Sequence, residues 1–138
     1  MRERSPLNSL QGAPPPKTAR LIVRGDPRSK GRPRFANGRA YTPKETTDAE
    51  KRIRDAWRAL EEDPFEFDVL VDVTFYLATR RRKDLDNLVK LVLDALNEEA
   101  FRDDSQVVEI NARKIFSDKD NARTEVTLQE LILWPNER

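Results

Sequence analysis

Hydrophobic residues recur along this chain in two distinct rhythms. Between Phe65 and Leu77 they alternate: Phe65, Phe67, Val69, Val71, Val73, Phe75 and Leu77 share one face and a more polar set lies opposite. A period of two belongs to a strand with one buried side, so this segment predicts a long, half-buried β-strand. From Leu85 to Asn97 the rhythm changes. Leu85, Leu88, Val89, Leu91, Val92, Leu93, Ala95 and Leu96 cover most of a helix's circumference, which predicts a helix buried on several sides. The narrow polar stripe left to it is Asp86, Lys90 and Asp94, at i, i+4 and i+8, with Asn97. An earlier helix is marked by Ala49, Ile53, Ala56, Trp57 and Leu60. Ahead of it, TPKE offers Thr42 as a cap, Pro43 as the first helical residue and Glu45 to close a capping box.

Shorter signals complete the order. LIVR, Leu21 to Arg24, reads as a strand ending at Gly25; then comes a long basic loop, DPRSKGRPRFANGRAYTPK, in which Asn37-Gly38 predicts a small hairpin tip. Two further strands, about Val107 to Phe116 and Thr124 to Leu133, are expected to form a hairpin across SDKDNA. Residues 1 to about 18 hold four of the nine prolines and no apolar period, so they predict a flexible tail ahead of one domain, residues 19 to 138. The order β-α-β-α-β-β predicts an α+β fold, a mixed β-sheet with two main helices.

Composition narrows the chemistry. Of 138 residues, 37% are charged against a typical ~25%, so the core is thin. The net charge of +1 conceals strong segregation. Arg28, Lys30, Arg32, Arg34, Arg39 and Lys44 occur with no acid between Pro27 and Lys44, and Arg80, Arg81, Arg82 and Lys83 form a second cationic run. With neither Cys nor His, thiolate chemistry, the common zinc sites and histidine-based triads are excluded. Any metal must be a hard ion held by oxygen, Mg²⁺ or Mn²⁺ first. No apolar leader or run of ~18 apolar residues is present, so the expectation is a cytoplasmic protein with no membrane partner.

Two acid pairs stand out, and each allows two readings. Asp84 and Asp86, directly after the four cations, can cap a helix and pair with Lys90, or point at one metal. Asp103 and Asp104 can form a turn, or an extended return of the seven residues Glu98 to Asp104, spanning at most ~25 Å, can bring Asp104 back beside Asp84 and Asp86. The cations can be a solvated face or a polyanion-binding surface. Phe35 and Tyr41, interleaved among them, favour the second because aromatic rings stack on bases. A faint calcium-loop pattern at DKDNARTEVTLQE lacks the required glycine, Arg123 standing there, and is rejected.

RRKDLDNLVKLVLDAL followed by DDSQVVEI resembles the signature of the RusA family of crossover-junction endodeoxyribonucleases. SKGRPRFANGRAYTPKET resembles the basic N-terminal segment of its phage and Gram-positive members, and together the blocks cover most of residues 21 to 116. The resemblance implies a RusA-like fold and a Mg²⁺-dependent nuclease, bacterial or phage-encoded, acting on four-way (Holliday) junctions in recombination and repair. It implies Asp84, Asp86 and Asp104 as metal-binding catalytic carboxylates, with Asp103 beside them, and a functional Lys90. Arg28, Lys30, Arg32, Arg34, Arg39 and Arg80 to Lys83 are then the candidate DNA contacts. One departure is a glycine commonly found between DAL and DD, replaced here by Glu98 or Glu99. Two cuts per junction, one carboxylate cluster per chain and the family resemblance together imply a homodimer. The alternatives are a non-catalytic DNA-binding module and a DxD phosphohydrolase acting on small phosphates.

Overall fold

The strand predicted from the alternating pattern is the centre of the molecule. The structure, a computed structural model, describes residues 15–131; the proline-rich stretch up to residue 14 and the end of the last predicted strand lie outside them. The elements are β1 (Thr18–Arg24), β2 (Arg34–Ala36), β3 (Arg39–Tyr41), α1 (Lys44–Ala59), β4 (Asp68–Leu77), α2 (Leu85–Leu96), β5 (Val107–Phe116) and β6 (Arg123–Leu131), with a 3-10 turn, Asp104–Gln106, before β5. Four strands form one sheet in the order β1-β6-β4-β5, and β2 and β3 form a separate two-stranded ribbon. β4 pairs parallel with β5 and antiparallel with β6, so the sheet is mixed and the fold is α+β as expected.

Both helices pack on one face of that sheet. Val69, Val71, Val73, Phe75 and Leu77 of β4 meet Leu88, Leu91, Val92, Ala95 and Leu96 of α2, while Ile53 and Trp57 of α1 close the β1 and β6 side. The opposite face is solvated and laced by ion pairs and stacking, Arg113 on Asp72 and Arg123 over the Tyr76 ring. Between β4 and β5, α2 is the crossover that parallel neighbours require, since no tight turn can reverse the chain twice.

Two expectations are corrected. β5 and β6 do not form a hairpin, because β4 lies between them. In β6, Val126 and Leu128 sit in register with Val73 and Val71 and are fully buried, whereas β5 is exposed along most of its length. Apolar burial therefore decides which strand takes which side of β4. The cap of α1 is Pro43, with no side-chain hydrogen bond; neither Thr42 nor Glu45 closes a box. The Thr46 hydroxyl instead accepts the Gly31 amide at 3.2 Å, tying the basic loop to the start of the helix. Of the two readings of the second acid pair, the structure shows the turn, and residues 97–104 do not run back along α2. Phe101 bridges to both Asn97 and Phe65, and Ala100 and Phe101 are fully buried, so the chain turns into the core at the far end of α2.

That turn passes through Glu98 at φ 65°, one of the two positions at which the resemblance implies a missing glycine. A side chain in the left-handed region costs roughly 1–2 kcal/mol, partly offset by the extra freedom glycine gains in the unfolded chain. Glu98→Gly is therefore expected to stabilise the protein by about 0.5–1 kcal/mol in urea denaturation, and Glu98→Ala to give no such gain.

Candidate active site

In a parallel pair the crossover helix begins beyond the carboxyl end of the first strand, and that is where α2 presents its first turn. Asp84 is its N-cap residue, extended at φ −76° and ψ 132°, and its Oδ1 receives Arg82 Nε at 3.2 Å. Asp86 lies in the first turn and accepts the Asn87 amide at 2.9 Å. Both residues are exposed. The α2 N-terminus carries a partial positive charge, which favours carboxylates there.

Three ties fix this turn in place. Lys83 Nζ donates to Asp26 Oδ2 at 2.5 Å and to the Pro27 carbonyl at 2.6 Å. Asp26 in turn accepts the Ala78 amide at 2.8 Å, closing the loop after β4. Lys114, near the end of β5, donates to the Lys83 carbonyl at 2.8 Å, and the Lys30 amide reaches the Asn87 carbonyl at 3.0 Å. The Lys30 ammonium is also engaged, 2.7 Å from Glu50 and 3.0 Å from Asp94. Burial lowers its pKa, but the two carboxylates outweigh burial and hold it above the ordinary lysine value. Lys90 stands further along α2, 3.7 Å from Asp94 with its side chain 61% exposed.

The predicted DNA-binding cations thus divide into three groups. Lys30 and Lys83 are half-buried and spend their charge inside the protein. Arg32, Arg34, Arg39 and Arg81 are exposed and form no ion pair among the described residues. Arg28 is exposed near Asp26, Arg80 lies 4.1 Å over the Phe116 ring, and Arg82 is held to Asp84. Arg28, Arg32, Arg34 and Lys83 line an open cleft of about 550 Å³ that also touches the start of α1. Its wall demands a glycine: a Cβ at Gly31 would meet Thr46 Oγ1 at 2.6 Å.

Asp103 and Asp104 occupy the other end of the sheet. Asp103 caps the 3-10 turn, its Oδ2 accepting the Ser105 amide at 3.0 Å, and those hydrogen bonds hold its carboxyl below the usual range. Gln106 closes the capping box and donates to the Phe65 and Phe67 carbonyls at 2.9 and 3.0 Å, fastening the turn to the chain that enters β4. Asp104 remains exposed in that turn. Val107 pairs beside Val69 at the start of β4, while Lys114, which touches Lys83, pairs beside Phe75. Seven residues of strand separate those levels, ~23 Å, so one chain holds Asp104 on the order of 20 Å from Asp84 and Asp86. The reach from Glu98 to Asp104 is spent elsewhere. Among the described residues no three or more acids converge as a metal-binding group.

Asp26 opens the basic loop, and no motif in the sequence marks it as the partner of Lys83. Burial raises its pKa, but the hydrogen bonds from Lys83 and the Ala78 amide outweigh burial and hold the carboxyl below 3.8. A depressed carboxylate adds stability that is complete above its unfolded value and is lost as pH falls through its folded value. Asp26→Asn is therefore expected to be less stable than wild type at neutral pH, the gap closing as pH falls below 3.8. A gap in denaturation midpoint that persists unchanged to about pH 2 contradicts this linkage.

Comparison with known proteins gives two kinds of match. The family described as Endodeoxyribonuclease RusA matches residues 24–129, which span β4, α2, β5 and nearly all of β6. The Crossover junction endodeoxyribonuclease RusA of Aquifex aeolicus (strain VF5) is 28% identical over 109 residues, 76% of each chain. Uncharacterized protein YqaN of Bacillus subtilis (strain 168) is 44% identical over 50 residues, 36% of this chain and 34% of that one. No helix among the described residues is long and apolar enough to cross a membrane. Matched across most of its length, the chain belongs to the RusA family of endodeoxyribonucleases and is a nuclease, a hydrolase of DNA phosphodiesters.

Proposed function

We propose that this protein is a metal-dependent endonuclease that cuts four-way DNA junctions as a homodimer, each active centre being shared between two protomers. The carrying observation is the placement of the acids, Asp84 and Asp86 at one end of β5 and Asp104 at the other. β5 is an edge strand of ten residues carrying exposed Val108, Ile110, Ile115 and Phe116. A long apolar edge is a template for another strand. Two-fold symmetry makes such a pairing antiparallel, so the start of one β5 lies beside the end of the other. Asp104 of the partner subunit then approaches Asp84 and Asp86, and the arrangement repeats at the far end. Two centres related by a two-fold axis suit two cuts in opposing strands.

The donor set is made wholly of carboxylate oxygens, which fits a hard divalent cation, Mg²⁺ or Mn²⁺. Asp84, Asp86 and the partner subunit's Asp104 would hold it. When bound, such an ion supplies positive charge at the scissile phosphate and lowers the pKa of attacking water. Asp103 serves as the cap that orients Asp104. Lys90, exposed one turn beyond Asp86, offers an ammonium to the charge that develops on phosphate oxygens. The exposed Arg28, Arg32 and Arg34 hold the DNA backbone along the cleft, while Lys30 and Lys83 fix the loop and helix that carry these groups.

Asp86→Asn removes a ligand and one negative charge near the phosphate. Loss of groups that merely orient ligands costs about 10–100-fold, so loss of a ligand is expected to reduce junction cleavage by more than ~100-fold. Junction binding should stay equal or tighten. The check is a labelled four-way junction with Mg²⁺ or EDTA, beside a gel-shift titration; near wild-type cutting by Asp86→Asn would overturn the assignment.

A further inference from the structure

The β2–β3 ribbon takes no part in the main sheet. Its six strand residues are all exposed, and each strand pairs only with the other, Arg34 opposite Tyr41, Phe35 opposite Ala40 and Ala36 opposite Arg39. Asn37 and Gly38 close it at φ 53° and 74°, the positive pair that a two-residue hairpin turn of matching twist requires. Because side chains alternate, Phe35 and Ala40 share one face, and Arg34, Arg39 and Tyr41 share the other with Ala36. Phe35 is 78% exposed, more than any other large hydrophobic residue described, and makes no ring contact among the described residues.

An isolated two-stranded ribbon has little of its own to hold it, and a bare phenylalanine adds nothing to that. Its use must lie with a ligand, and the surroundings say which. Arg34 and Arg39 form no ion pair among the described residues, and no acid occurs between Pro27 and Lys44. That field repels a second copy of the same ribbon and attracts a polyanion. Arg34 also lines the basic cleft that reaches Lys83 and so the first turn of α2. A two-stranded ribbon fits the DNA major groove, and an apolar wedge can unstack a base step, at least cost where pairing is already interrupted.

We propose that the β2–β3 ribbon is an arm that reads the branch: Phe35 stacks on a base exposed at the centre of branched DNA while Arg34 and Arg39 hold the flanking phosphates. The arm makes branched DNA preferred over linear duplex. This rests on the branched-substrate reading, and not on the shared active centre.

The test uses the full-length protein without divalent metal, a four-way junction carrying 2-aminopurine beside the branch, and a linear duplex of the same sequence. Wild type is expected to bind the junction more tightly and raise its 2-aminopurine fluorescence. Phe35→Ala should abolish that rise and weaken junction binding by about 10-fold, as loss of one stacked base does, with duplex binding unchanged. Phe35→Trp should keep both properties. Arg34→Ala combined with Arg39→Ala should weaken both substrates alike and reduce the slope of log K against log salt by about 1.8. A fluorescence rise and junction preference that survive Phe35→Ala overturn the arm alone. A wild type with no preference for the junction overturns the branched-substrate reading, and the arm with it.

Discussion

Two parallel strands cannot be joined by a tight turn, and this constraint organises the whole molecule. β4 and β5 are parallel neighbours, so the chain must leave one end of the sheet and return to the other, and α2 is the return. Its twelve residues cover ~18 Å, a little over half the length of β4. The start of α2 is thereby fixed beyond the carboxyl end of β4, and the start of β5 at the opposite end. Asp84 and Asp86 belong to the first position and Asp104 to the second. No side-chain adjustment can join them within one chain.

Charge is allotted with similar economy. A sequence with this many cations invites the view that all of them face DNA. Lys83 is instead a bolt between Asp26 and the loop before α2, and Lys30 is one between Glu50 of α1 and Asp94 of α2. Both are held in partly buried surroundings where ion pairs are screened less than at the surface. They stiffen the platform from which arginines project. The division also follows side-chain chemistry, lysine acting as a compact point charge inside and arginine as a broad fork outside.

Much of this was legible from residues alone. The alternating run gave β4, the nearly continuous apolar pattern gave α2, and Asn37-Gly38 gave the ribbon tip, because each is a local rule written in adjacent residues. Strand order was not legible: β5 and β6 follow one another in sequence, and only the burial of Val126 and Leu128 against β4 separates them. The distance from Asp84 to Asp104 was left open by the sequence for a related reason. Chain length permits a return along α2, but burying Phe101 against Phe65 and the end of α2 takes the chain the other way. The bolt role of Lys30 left no mark in sequence, since Glu50 and Asp94 lie 20 and 64 residues away.

A centre shared between protomers makes a sharp demand on mixed dimers. Asp86→Asn and Asp104→Asn each disable both centres of their own homodimer. When the two are mixed and allowed to exchange subunits, a mixed dimer has one centre with both defects and one with neither. Random assortment makes about half the dimers mixed, so nicking of a four-way junction should return to roughly a quarter of the wild-type level, in one strand per binding event. Centres built within single chains would all remain defective, and a mixture as inactive as its two components, despite demonstrated subunit exchange, would contradict the account.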